Sequence, residues 1–327
     1  MSKKYLITGI TGFAGPHLAN LLHENNHEIY GLVRCSNGRE NDIRDVVEDR
    51  VYRDIKFLYG DLRSHRTLNE IFRNNEFDGV FHLAAQSHPP TSFVDPLGTF
   101  EDNVMGTANL IQAISDNQPQ CKLMFCSTSE VYGNVGRDGR RIREDDALLP
   151  ANPYGASKVA IDLYLQERMI NNKIKGFITR AFSHTGTRRG KNFSISSDAF
   201  QIARMVNKQQ DYSLSVGNLD TIRVVMDVRD TVNAYYKLML CEESDGKVFN
   251  VCGDIPRKMG YYTDLLIELS GLSGVNKVIN PKFYRPIDIQ YQHGDTSLLK
   301  SLVEWDLEYE IRETLKGLLN YWIKKTH

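Results

Sequence analysis

The sequence predicts an α/β fold: a doubly wound parallel sheet with helices on both faces, and a smaller mixed α/β lobe toward the C-terminus. Three observations carry this. Short apolar runs alternate with amphipathic ones from Tyr5 to Arg180. A glycine turn, Gly9-Ile-Thr-Gly12-Phe-Ala-Gly15, links the first of each. Beyond Arg180 the alternation yields to polar stretches interrupted by short helical and extended runs.

Each element follows from its own pattern. Tyr5–Thr8 is a short apolar strand, and Pro16–Glu24 is a helix with Leu18, Leu21 and Leu22 at helical spacing. Glu28–Val33 and Ile55–Tyr59 read as the second and third strands, Leu68–Asn74 as a helix and Gly79–Leu83 as the fourth strand. Thr99–Ser115 is a longer helix and Lys122–Cys126 a fifth strand. Gly133–Pro153 is rich in Gly, Arg and Asp without periodicity, a surface loop before a long helix over Tyr154–Asn171 and a strand over Gly176–Arg180. Ser183–Ser197 and Pro281–Asp295 are expected to be irregular, with helices and short strands such as Val248–Val251 between them. Residues 1–180 are expected to form the sheet domain, rejoined by a stretch at about 225–255, and residues 181–327 mainly a lobe covering its cleft.

Composition narrows the class. The 327 residues are 41% hydrophobic and 25% charged, with a formal net charge of −1. That is a globular balance, and it gives no reason to expect a nucleic-acid partner or an anionic membrane surface. No apolar stretch approaches the roughly 20 residues needed to span a bilayer. The start, MSKKYLITGITG, is a first strand and not a leader, so a cytoplasmic location is expected. Cys35, Cys121, Cys126, Cys241 and Cys252 form no CxxC pair. They are expected to be free thiols, with no metal site.

Ligands in parallel sheets bind beyond the carboxyl ends of the strands, where strand order reverses. The glycine turn lies there. Gly9, Gly12 and Gly15, with Thr11, Phe13 and Ala14, would let backbone approach a pyrophosphate at a helix N-terminus. A dinucleotide is therefore expected. The second strand ends without an acid to bind a ribose 2′-hydroxyl, and Arg34 and Arg39 suit a 2′-phosphate, so NADP is preferred over NAD. Asp61 and Leu62 would meet adenine, and Leu83, Ala84 and Ala85 offer small residues where a cofactor lies against backbone.

Tyr154 and Lys158 stand four apart at a helix start and share a face. An ammonium nearby favours a phenolate, which can take a proton from a sugar hydroxyl while hydride leaves the carbon. The strand end Ser127-Thr128-Ser129-Glu130 adds a hydroxyl and an acid.

In order and spacing, TGITGFAG, LAAQSH, STSEVYG and PYGASK resemble the extended short-chain dehydrogenase/reductase family across nearly the whole chain. That resemblance implies a Rossmann-type fold, with Thr128 bonding the substrate hydroxyl, Tyr154 as base and Lys158 on the nicotinamide ribose. Glu130 resembles the acid that removes the C5 proton in the 4,6-dehydratases of the family. Arg188-Arg189-Gly190-Lys191-Asn192-Phe193 is similar to a loop of the GDP-mannose 4,6-dehydratases in which arginine reaches a neighbouring subunit's cofactor. The resemblance implies cofactor contacts for His184 and Arg189. It implies substrate contacts for Ser87, Ser183, Asn192, Asn218, Arg223 and Arg285, the arginines meeting a diphosphate. Two stretches depart from that group. Ser183 stands where it carries Asn, and Phe193–Phe200 is similar to the related GDP-keto-sugar reductases.

The implied activity is a 4,6-dehydratase on a GDP-linked hexose (GDP-mannose, GDP-N-acetylglucosamine or a GDP-heptose) giving a 4-keto-6-deoxy sugar. The alternative is a GDP-4-keto-6-deoxy-sugar reductase or 4-epimerase of the same family. A homodimer or homotetramer is expected through the helices Thr99–Ser115 and Tyr154–Asn171.

Overall fold

The computed structural model describes residues 2–34, 39–284 and 287–327. Strands β1 (Lys4–Thr8), β2 (Glu28–Val33), β3 (Lys56–Tyr59), β4 (Gly79–His82), β5 (Lys122–Thr128) and β6 (Gly176–Ala181) join the strand Val248–Val251 in one parallel sheet. Among the described residues the order across it is Val248–Val251, β6, β5, β4, β1, β2, β3. The chain runs outward from β1 through β2 to β3, then returns to β4 on the other side of β1. The crevice between β1 and β4 is the switch point.

The apolar content of the strands explains why both faces are covered. Ile7, Phe81, Met124 and Phe177 point into one core with Leu18 and Leu22 of α1 (Ala14–Glu24) and with Val232 and Tyr235 from the helix Val228–Leu240. Their chain neighbours Leu6, Val80, Leu123, Phe125 and Ile178 point into the opposite core. There they meet α2 (His65–Asn74) and the helices Gly106–Asn117 and Pro153–Ile170. Successive strand residues face opposite sides, so strands apolar at every position must be sandwiched.

The helices between β4 and β6 are α3 (Pro89–Val94), α4 (Pro96–Phe100), α5 (Gly106–Asn117) and α6 (Pro153–Ile170). The single helix expected over Thr99–Ser115 is interrupted, because Glu101–Met105 forms a π-helical turn between α4 and α5. That turn aims Asn103 inward, where its side chain accepts from Gln86 N at 2.7 Å and donates to Ser157 Oγ at 2.9 Å. Such insertions often accompany functional sites.

The expected loop Ser183–Ser197 also needs correction. It contains a two-residue strand, His184–Thr185, and its end opens α7 (Ser194–Val206). The serines that suggested a loop are accommodated. Buried Ser196 donates to Arg189 O at 2.5 Å and accepts from Trp322 Nε1 at 2.9 Å. Ile195, Ala199 and Ile202 pack with Leu265, Leu315 and Leu318 into the core of the C-terminal lobe. Pro281–Asp295 holds a helical turn at Pro281–Phe283 and a short strand at Tyr291–Gln292. Cys121, Cys126, Cys241 and Cys252 are free thiols.

A buried ion pair joins the sheet to α6. Asp162 is fully buried and accepts from Arg180 of β6 through both oxygens, at 3.0 Å each, and from Ser127 Oγ of β5 at 2.8 Å. Arg180 also donates to Tyr132 Oη and to Glu144 O. Removing one member of such a pair strands the other charge without water. Asp162→Leu is expected to lower unfolding free energy by about 3–5 kcal/mol, and Arg180→Met added to it should recover most of the loss. Denaturant titration of both variants checks this, and a mild effect of Asp162→Leu alone would contradict it.

Candidate active site

The carboxyl ends of β1, β4, β5 and β6 open into a cavity of about 600 Å³. At the switch point Thr8 Oγ1 lies 2.6 Å from His82 Nδ1 and accepts from Ala84 N at 3.3 Å, fixing the ends of β1 and β4 together. The glycines of the turn are required by close approach. A Cβ on Gly15 would lie 2.6 Å from Gly9 O and from Ile10 Cα. Gly9 has φ +74°, and a Cβ there would sit 2.7 Å from Ala84 N. No side chain caps α1, so its first amides face the cavity for an anion. A cradle that any side chain would fill, beside an uncapped helix start, fits the pyrophosphate of a dinucleotide.

Most of the residues singled out from the sequence line this one cavity. Gly9, Thr11, Gly12, Phe13 and Ala14 form its floor, and Gly15 supports them from beneath. Arg34, Asp61 and Leu62 lie at one end, and Leu83, Ala84, Ala85 and Ser87 along β4's exit. Thr128, Glu130, Tyr154, Lys158, Ser183, His184 and Arg189 lie at the other.

Five are not brought there or not described. Asn218 lies outside the cavity lining, where it donates to Asp288 at 2.8 Å and accepts from Asp220 N at 3.0 Å, which stabilises its own turn. Arg223 donates to Ile289 O at 2.7 Å and Ile222 O at 2.9 Å, bracing two strands of the C-terminal lobe. The side chain of Arg39 and the whole of Arg285 lie outside the described residues. Asn192 also lies outside the cavity lining, with its carbonyl 3.1 Å from His88 Nε2.

The arginine loop turns onto its own chain. Arg188, at φ +73°, bonds Gly12 O, Thr11 O at 3.1 Å and Asp42 O at 3.3 Å. Arg189 places its guanidinium 3.6 Å from the centre of the Phe193 ring and 4.8 Å from that of Phe13. Burial pushes it down to about 10. A half-buried cation between two rings over the glycine turn suits a phosphate. His184 stacks on Phe13 with centroids 5.9 Å apart, bonds Phe182 O at 2.9 Å, and is pushed down to about 4 by burial and by Arg189. It is therefore neutral at physiological pH.

Lys158 Nζ donates to Cys126 O at 2.6 Å and lies 4.4 Å from the centre of the Phe125 ring. Burial pushes it down to about 8. Burial pushes the Tyr154 hydroxyl up and Cys126 adds to this, against an opposing hydrogen bond with Thr128. Glu130 Oε2 accepts from Asn152 Nδ2 at 2.7 Å. Hydroxyl, phenol, ammonium and carboxylate thus share one wall.

Sequence inspection missed Arg63, Gln86 and Tyr235, which also line the cavity. Arg63 pairs with Asp61 at 2.9 Å, and its place one residue beyond Asp61-Leu62 was the available signal. Tyr235 comes from a distant helix to within 3.4 Å of Cys126 Sγ, and no local spacing marks it.

Clefts of this kind, with Tyr and Lys one helical turn apart over a glycine cradle, define the extended short-chain dehydrogenase/reductases. Comparison with known proteins narrows this. The chain belongs to the GDP-mannose 4,6-dehydratase family, which it matches over residues 6–318. It is 29% identical to the GDP-6-deoxy-D-mannose reductase of Pseudomonas aeruginosa over 98% of both chains. It is 26% identical to the human GDP-mannose 4,6-dehydratase over 96% of this chain and 90% of that one. The solved structure of RMD from Pseudomonas aeruginosa complexed with NADPH is similar at TM-score 0.84 and 27% identity, covering 99% of this chain and 100% of that one.

The Lys158 ammonium is held at a cost. Its value falls from an ordinary 10.5 to about 8, so between those pH values the unfolded chain binds more protons and this group makes stability rise with pH. Below pH 8 the folded protein carries the full penalty. Lys158→Met should therefore stabilise the protein at pH 7 by about 1–3 kcal/mol, the gain vanishing near pH 10.5. Denaturant titration at the two pH values checks it, and a destabilised Lys158→Met at pH 7 would contradict it.

Proposed function

We propose that the protein is a nucleotide-sugar 4,6-dehydratase that converts a GDP-linked hexose, GDP-mannose in the first instance, to its 4-keto-6-deoxy form. The observation that carries this is Glu130, which lines the same cavity as Thr128 and Tyr154 and whose carboxylate is bonded to Asn152 at the cap of the Tyr154 helix. Family membership supports the substrate class. NADP is the proposed cofactor, supported by Arg34 and Arg63 at one end of the cavity and by the NADPH-bound relative.

Thr128 and Tyr154 hold the sugar's 4-hydroxyl, and Tyr154 takes its proton. Lys158 steadies the phenolate. The glycine turn, Leu83–Ala85 and Lys158 would hold a nicotinamide cofactor in this cleft, which would supply a hydride acceptor for C4 and a hydride donor for C6. Glu130 removes the C5 proton, acidified by the new ketone, and passes a proton to the C6 hydroxyl as it leaves as water; when hydride reaches C6, C5 regains a proton from water-exchanging groups of the site. Arg189 and the glycine turn hold phosphates, and Phe13 and Phe193 keep water from the reacting end.

Likeness to a reductase over 98% of the chain favours a second function, reduction of a 4-keto sugar. One experiment separates them. Incubation with GDP-mannose and no added reductant should give the 4-keto-6-deoxy product, and Glu130→Gln should abolish it by about 100-fold or more while C4 oxidation continues. Stoichiometric consumption of NADPH on a keto sugar, insensitive to Glu130→Gln, would establish the reductase.

We also propose a homodimer. Val94 and Leu97 are 86% and 81% exposed, and Phe93, Phe100, Met105, Leu163 and Ile170 add to the apolar surface of α3, α4, the π turn and α6, which pack together. Val94→Glu with Leu97→Glu should yield monomers by light scattering. An unchanged mass would move the interface elsewhere.

A further inference from the structure

We propose that Asn152 is a positioning residue for the elimination step: it fixes the Glu130 carboxylate against the helix that carries Tyr154. The proposal rests on the dehydratase function above. Asn152 is buried, in extended conformation just before α6. Its side chain has two duties. Oδ1 accepts from Gly155 N at 2.7 Å and caps the helix, while Nδ2 donates to Glu130 Oε2 at 2.7 Å.

An amide does both at once because it carries an acceptor and a donor on one planar group. Aspartate would cap but could not donate to a carboxylate, and serine would cap but its single oxygen is too short to span to Glu130. The backbone supports the same contact. A Cβ on Gly155 would lie 2.8 Å from Glu130 O, so the first turn of α6 rests directly on the turn that bears the acid. Thr128 Oγ1 accepts from Glu130 N at 3.3 Å, tying that turn to the strand end.

The consequence concerns geometry between two steps. Tyr154 works on the 4-hydroxyl and Glu130 on the C5 proton of the same ring, so the spacing of their groups must be held while chemistry passes between them. Without the amide, the carboxylate loses a bond that orients it toward the helix of Tyr154, and misplacement by about 1 Å can cost on the order of 100-fold in rate. The bond to Nδ2 sets the carboxylate plane relative to the residue two places before Tyr154. Loss of it should therefore act on elimination and leave oxidation at C4 alone.

The test uses the whole protein with GDP-mannose in deuterated water, following reduced-cofactor absorbance for C4 oxidation and deuterium at C5 for proton removal. Asn152→Ser retains a capping oxygen. It should bind GDP-mannose as the wild type does, oxidise C4 at a similar rate, and exchange C5 about 10- to 100-fold more slowly, so that reduced cofactor accumulates. Asn152→Asp, also a good cap, sets a like charge beside Glu130 and should slow C5 exchange at least as much. If both steps fall together in both variants, or neither falls, Asn152 serves the helix only and the proposal is overturned. Glu130→Gln run alongside separates the two levels. If it leaves C5 exchange at the wild-type rate, the dehydratase function itself fails, whereas loss there with unaffected Asn152 variants removes only the positioning role.

Discussion

The buried pair between Asp162 and Arg180 is the constraint on which the rest of this site depends. Two charges removed from water are tolerated only where geometry satisfies nearly every polar atom. Here Asp162 takes both bonds of the Arg180 fork, with Ser127 and Gln166 adding one each. Those partners come from β5, β6 and α6 itself. None can shift along its axis without exposing a charge in the interior. The relative heights of Thr128 at the end of β5 and of Tyr154 at the start of α6 are thereby set from below, where no ligand reaches.

Helix α6 carries this order upward in one line. Tyr154, Lys158 and Asp162 fall four residues apart on a single face, and their surroundings grade from the cavity to the core. Asp162 favours the charge on Lys158, though burial outweighs it. The helix thus holds the Lys158 ammonium between the Tyr154 phenol and a carboxylate already paired with arginine. An isolated lysine at that depth would give up its charge to burial alone.

Much of this was legible in the sequence because it is local. The glycine turn, the Tyr154/Lys158 spacing and the Thr128/Glu130 pair each occupy a few consecutive residues, and parallel sheets bring such strand ends together automatically. The sheet strands themselves showed as runs apolar at every position, such as Leu123–Phe125, which only a doubly covered sheet can bury. What escaped depends on contacts far along the chain. The π turn at Glu101–Met105 has no composition of its own, since its register follows from Asn103 meeting Gln86 and Ser157. Serines made Ser194–Ser197, the first turn of α7, look irregular, because the burial of Ser196 rests on Arg189 and on Trp322, the latter 126 positions away. Arg223 and Asn218 were expected at the substrate by resemblance, and the bonds that hold them, to Ile289 O and to Asp288, join segments more than 60 positions apart.

The same contrast bears on function. Relatives named for reduction and for dehydration share this fold at similar identity, so the fold cannot choose between them. With the proposed roles, both chemistries use the glycine cradle, Tyr154 and Lys158, because both move a hydride beside a sugar oxygen. Only elimination needs a base over the neighbouring carbon. That requirement falls on one carboxylate and on whatever holds it, and Glu130 is bonded to the residue that starts the catalytic helix. A carboxylate left to solvent would say little; one built into the helix cap, within the wall that holds the phenol, has a geometry that reduction alone does not require.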